Sequence, residues 1–224
     1  MTPRTQIALP LMAGLCLVSS SAFAQITAKN GLYDFRVKLT SGQKLSYVNS
    51  VVAMGGIKVD MPISMKVLSV TGGKATVETK TGPGRMNGQA MSENAVTEKA
   101  VIDLKGQPVG AGSTGTGTVF GAAPKKPVKV GATWTGKAPT GDTGIGMKDI
   151  TATYTFVGVK SVNGKQVAEI KVTIKGSGDS SMTGGGIVHL LTSDGFLQSS
   201  KLSMALKMAG STQPMTFTAN TYRK

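Results

Sequence analysis

Val67-Leu68-Ser69-Val70-Thr71-Gly72-Gly73 returns, little changed, as Val159-Lys160-Ser161-Val162-Asn163-Gly164-Lys165, an offset of 92 residues. Working outward, Gly42-Gln43-Lys44-Leu45 is matched by Gly131-Ala132-Thr133-Trp134. Leu104-Lys105-Gly106 is matched by Ser193-Asp194-Gly195, and both of these pairs lie 89 residues apart. A repeat of roughly 90 residues is too long for a solenoid unit and suits one multi-stranded sheet. The chain therefore reads as a leading segment 1–24, a β repeat 25–110, a Gly/Pro/Lys connector 111–127 and a second repeat 128–224 that forms one unit with the first.

Alternation of apolar and polar residues sets the local structure. Leu32, Phe35, Val37 and Leu39 mark a first strand, and Leu45 and Tyr47 a second that continues to Val52. Ile57 and Val59 lead into Ile63, Met65 and Val67, and a turn at Thr71–Lys74 returns the chain. In the second half Asn163-Gly164 is a strong hairpin signal, because both residues tolerate positive φ. Leu202, Met204, Leu206 and Met208 alternate with Lys201, Ser203, Ala205 and Lys207, giving one apolar and one largely polar face. Met215, Phe217 and Ala219 do the same after a turn at Ala209–Pro214. Ser92–Ala100 could form two helical turns capped by Ser92, and Gly141–Gly146 reads as a second loop. The expected fold is all-β: two tandem antiparallel β-meander repeats forming a curved sheet, a half-barrel or a sandwich.

Residues 1–24 have the form of a signal peptide. Arg4 supplies the positive start, Ile7 to Val18 the apolar stretch, and Ala22-Phe23-Ala24 the small-x-small site, with cleavage expected between Ala24 and Gln25. The apolar stretch is too short to span a bilayer, so no transmembrane span is expected after cleavage. Cys16, the only cysteine, leaves with this segment, which excludes disulfides, thiolate nucleophiles and redox pairs from the remainder. Cysteine-free export points to a bacterial periplasm or exterior.

Charge points to anionic partners. The chain has 25 Lys+Arg against 11 Asp+Glu, a formal +14, and loses only Arg4 on cleavage. Lipid head groups and acidic polysaccharide fit such a balance, and so does plain solubility, with scattered lysines on the solvent face of strands. Nucleic acid does not, because stacking aromatics are only 5% of the chain and no helix-turn-helix or zinc-finger spacing occurs.

Catalytic and cofactor motifs fail one by one. Gly115–Gly121 resembles a glycine-rich phosphate loop, but Pro124 and Pro127 prevent the helix that such a loop needs. Ser41-x-x-Lys44, Ser92-x-Asn94 and Lys80-Thr81-Gly82 mimic a penicillin-binding serine site in the wrong order and on strand turns. His189 is the only histidine, within the apolar Ile187–Leu191, and no Gly-x-Ser-x-Gly elbow exists. One histidine and no mature cysteine exclude a standard zinc site, and Asp142 and Asp149 match no calcium loop. Paired methionines at i and i+4 on a strand lie roughly 13 Å apart, too far to share a copper ion. No cofactor, metal or catalytic residue is expected.

Pro124-Lys125-Lys126-Pro127-Val128-Lys129-Val130-Gly131-Ala132-Thr133-Trp134 resembles a Pro-x-x-Pro-Val-x-Val-Gly-x-x-Trp stretch of an exported bacterial β-protein family of unknown function. Such proteins share a leading signal, two related halves and a late Asp-Gly turn, here Asp194-Gly195. The acidic residue usual after the glycine is Ala132 here. The resemblance implies no catalytic residue. At the level of fold, a curved envelope sheet is similar to the periplasmic lipoprotein carriers, which hold acyl chains in a half-barrel.

These features favour a non-enzymatic envelope binding module. Its concave groove, with Trp134, Met204, Met208, Met215 and Phe217, would take an apolar or amphiphilic anionic ligand. The alternative is a structural or partner-docking protein with no small-molecule site. A hydrolase using carboxylates assembled by folding is a third reading, and oligomeric state is not readable from the sequence.

Overall fold

The structure, a computed structural model, describes residues 24–91, 94–106, 109, 123–137 and 147–224. The expected signal segment up to residue 23, most of the connector and the Gly141–Gly146 loop lie outside these residues. Among them are fourteen strands. In the first half these are β1 (Ala24–Lys29), β2 (Leu32–Val37), β3 (Lys44–Ala53), β4 (Lys58–Thr71), β5 (Lys74–Thr81), β6 (Arg85–Met86), β7 (Gln89–Ala90) and β8 (Val96–Asp103). In the second they are β9 (Thr133–Lys137), β10 (Met147–Val162), β11 (Lys165–Gly178), β12 (Ser181–Leu191), β13 (Leu197–Lys207) and β14 (Met215–Arg223).

Twelve strands form one open antiparallel sheet, ten of them in the order β8-β5-β4-β3-β14-β13-β12-β11-β10-β9. The β6–β7 hairpin pairs with the start of β4, through Val59 with Met86 and Asp60 with Arg85. The first long strand joins the last, β3 to β14, from Tyr47↔Arg223 to Ala53↔Phe217. The all-β, curved-sheet expectation stands: the sheet is open and not closed into a barrel. Val96–Ala100, where a helix was an option, lie in β8, since the otherwise open edge of β5 takes them as its partner from Val96↔Thr81 to Asp103↔Lys74.

The same backbone exchange occurs twice. Gly42 N–H donates to Val67 O and Val67 N–H to Gln43 O, each at 2.9 Å. Gly131 N–H donates to Phe156 O at 2.7 Å and Phe156 N–H to Ala132 O at 3.0 Å. Equivalent residues are 89 positions apart, and a β-bulge follows both Val67 and Phe156.

Burial follows the strand alternation. Val59, Met61, Ile63, Met65 and Val67 of β4 are buried, as are Ile170, Val172 and Ile174 of β11 and Leu202, Met204 and Leu206 of β13. All belong to one hydrophobic core. No helical layer among the described residues covers this face, so the sheet must curl until the face covers itself. Gly184-Gly185-Gly186 of β12 supply the tight curvature. A Cβ at Gly184 would meet Ser203 O, one at Gly185 would meet Val172 O, and one at Gly186 would overlap Lys201 O. Here glycine is needed for close approach of neighbouring backbones, not for an unusual φ.

The remaining opening is filled by the separate β1–β2 hairpin, turned at Asn30-Gly31 with φ of 52° and 73°. Phe35 is 0% exposed and packs edge-on against Phe156 at 5.3 Å and near Trp134 at 6.0 Å. Tyr33 meets Phe156 at 4.8 Å. Val37 N–H donates to Leu104 O, just past edge strand β8, while Tyr33 and Val128 exchange hydrogen bonds just before edge strand β9. The hairpin thereby ties the two ends of the sheet. Gly186→Val is expected to lower stability by about 3 kcal/mol, because backbone on the neighbouring strand has to move; urea unfolding of the variant measures it.

Candidate functional site

Filling the concave side leaves the outer side of β9–β14 as the surface on which chemistry can be presented. The register aligns its residues into rows. One row runs Thr135–Thr153–Thr173–Gly185–Ser203–Thr218–Val52, from β9 to β3. The adjoining row runs Thr133–Thr155–Lys171–Ile187–Lys201–Asn220–Ser50. On the other side Thr151–Lys175–Thr183–Ala205–Thr216 form a third. Neighbouring strands lie about 4.8 Å apart, so the first row is a ladder of hydroxyls interrupted by one glycine.

An open trough of about 460 Å³ lies over the β3 end of this ladder, between its Ser203 and Thr218 and the third row's Thr183, Ala205 and Thr216. Its outward side chains are Val52, Thr183, Ser203, Ala205, Thr216 and Thr218. Ala53, Gly184, Met204 and Phe217 complete the lining. Met204 is 3% and Phe217 5% exposed, so both turn their side chains inward and offer the trough mainly backbone. The lining combines the hydroxyls of Thr183, Ser203, Thr216 and Thr218 with apolar surface from Val52, Ala53 and Ala205.

The same face is electropositive. Lys171, Lys175, Lys201 and Lys207 are exposed, and none has an ion-pair partner among the described residues. Within β11–β14 the only carboxylate is Glu169, and it is occupied. Lys160 Nζ pairs with its Oε2, and His189 Nε2–H donates to the same oxygen at 2.9 Å. His189 Nδ1 is then free to accept from Ser199 Oγ–H at 3.1 Å. Lys160, followed by His189, holds the Glu169 carboxyl below its ordinary 4.5, against the opposing effect of burial.

Ser199, His189 and Glu169 thus stand in the order of a hydrolytic triad, which a sequence with one histidine did not reveal. The surroundings do not make it one. Each residue lies within a ladder, paired on both sides, so nearby N–H groups point at neighbouring strands and not at a substrate carbonyl. Lys160 also draws the carboxylate away from sole service to the imidazole. The row acts as a cross-strand strut from β10 to β13. No group of three or more His, Cys, Asp or Glu suited to a metal occurs among the described residues.

The five residues expected to line a concave groove are placed differently. Met204 and Phe217 face each other across β13 and β14 inside the core, and Met215 pairs beside them with Leu206. Met208 lies beyond the end of β13 and is 38% exposed. Trp134 is on β9, stacked on Tyr154 at 5.7 Å as part of the aromatic cluster around the hairpin. The hydroxyl ladder went unread, although Thr133-x-Thr135, Thr151-x-Thr153-x-Thr155 and Thr216-x-Thr218 carry its signal.

No protein-family model matches the chain, and no curated protein matches it. In structure it is similar to a protein provisionally described as exported, with a YmcC-like fold, from Bacteroides fragilis. The two are 10% identical with a TM-score of 0.39, over 85% of this chain and 99% of that one. It is also similar to a provisionally described lipoprotein from Parabacteroides distasonis, 12% identical with a TM-score of 0.40, over 84% and 99%. At these scores the likeness assigns neither ligand nor location. No helix among the described residues is long and apolar enough to cross a membrane.

Glu169→Gln is expected to cost about 2 kcal/mol at neutral pH, the scale of a charge-assisted hydrogen bond. A depressed carboxyl stabilises above its unfolded value of 4.5 and loses that contribution as pH falls through the lower folded value. The gap between wild type and variant should therefore close in acid, which urea unfolding across that range measures.

Proposed function

We propose that this protein is an exported, non-enzymatic binding module of the bacterial envelope with its ligand face on the outside of the sheet. The carrying observation is the trough over β12–β14, lined by hydroxyls and flanked by lysines with no ion-pair partner among the described residues. Phe35, Phe156, Leu202 and Met204 are buried on the concave side, which favours a ligand face on the outside. The lysines favour an anionic ligand, and the apolar part of an amphiphile would meet Val52, Ala205, Ile187 and Tyr222 on this face. Export rests on the signal-like segment at residues 1–24, whose expected cleavage point coincides with the start of β1. The twofold backbone exchange at an 89-residue spacing supports an origin by tandem duplication.

The buried core also favours a second reading, a structural or partner-docking protein, with the short edge strand β9 as a place for strand addition. The two readings differ in what the outer face does. Equilibrium binding to phosphatidylglycerol vesicles and to acidic polysaccharides, each at low and high salt, is expected to show salt-sensitive association with at least one of them. Absence of binding to every anionic probe at low salt would leave the docking reading in its place.

A further inference from the structure

We infer that the outer trough binds a linear acidic polysaccharide laid across the strands. This rests on the anion-binding reading above and names its ligand class. The strand spacing of about 4.8 Å is close to the advance of one pyranose ring along an extended glycan, so one sugar falls on each strand. Crossing from β11 to β14, such a chain meets Thr173, Gly185, Ser203 and Thr218 in one row. Hydroxyls that both donate and accept match sugar hydroxyls, and the bare Gly185 leaves depth for a ring.

The adjoining row places Lys171 and Lys201 two strands apart, about 10 Å, with Ile187 between them. That is the pitch of a polymer carrying one acid group on every second sugar. Tyr222 of β14 lies on the same face, two residues beyond Asn220, and is 47% exposed. It lies about 13 Å along the strand from Thr218, outside the path of a chain that follows the ladder row. Ser199 is its cross-strand neighbour and is already bonded to His189.

The shape favours a chain over a planar membrane. The hydroxyls line a trough, and the exposed apolar residue within it is Val52. A bilayer surface would engage the lysine tips and leave the ladder untouched, whereas a single glycan strand reaches both.

Calorimetric titration with hyaluronan oligosaccharides, which carry one carboxylate per disaccharide, tests this. Neutral dextran oligosaccharides and phosphatidylglycerol vesicles are run beside them. Hyaluronan is expected to bind at low salt and dextran not. The pair Lys171→Gln and Lys201→Gln should weaken binding about tenfold, as should Thr173→Val with Ser203→Ala. Lys74→Gln with Lys80→Gln, on distant β5, should leave it unchanged, and circular dichroism checks that each variant is folded. Vesicle binding without hyaluronan binding would overturn the polysaccharide assignment and keep the anion-binding reading. No binding to either would overturn both. Hyaluronan binding that ignores the β11 and β13 substitutions would overturn the assignment of the site.

Discussion

A sheet that carries its apolar residues on one side, with no helices to cover them, has to cover that side with itself. Nearly every feature of this protein answers to that constraint. Twelve strands in register bring Val67, Phe156, Ile170 and Leu197 to one face, and the face closes only if some strand allows sharp curvature. Gly184-Gly185-Gly186 provide it, at the point where a side chain would strike the carbonyls of β11 and β13. The β1–β2 hairpin completes the closure from the side, with Phe35 as the inserted group and hydrogen bonds to residues flanking both edge strands.

Curling inward decides what is left outside. Alternation forces the polar half of each strand onto the outer surface, and the register of β9–β14 turns scattered threonines and lysines into rows. A strand pair alone would present one or two hydroxyls; six aligned strands present a ladder. Glu169 is the one acid within β11–β14, and it is consumed by Lys160 and His189, so the lysines farther along the face keep their field uncompensated. On the proposed function, binding would draw on the sheet as a whole and not on an enclosed pocket.

Much of the backbone was legible. The Leu202–Lys207 alternation and the Asn163-Gly164 turn stand in the structure as β13 and the β10–β11 hairpin, with φ of 51° and 75° at the turn. Asn30-Gly31 and Asn87-Gly88 carry the same signal and make the same two-residue turn, yet the strands flanking them are short or poor in apolar alternation, so β1, β6 and β7 were not seen. Ser92–Ala100 reads as a capped helix in sequence; Ser92 lies outside the described residues, and Val96–Ala100 pair with the edge of β5 instead. The site was less legible, for a geometric reason. Met204, Phe217 and Trp134 signal apolar contact, which in a self-covering sheet draws them toward the core, while Met208 stays exposed beyond β13. The ladder depends on alignment between strands, and bulges after Val67, Phe156 and His189 shift that alignment in ways no single strand reveals.

The central claim is that the curl is full, so ligands meet only the outside. Titration of the folded protein with Nile red, a neutral apolar dye, asks this directly. A filled interior predicts no saturable rise in fluorescence until the protein is unfolded. A saturable one-to-one rise with native protein, lost on replacing Met204 by a bulkier tryptophan, would show an open apolar cavity and contradict the account.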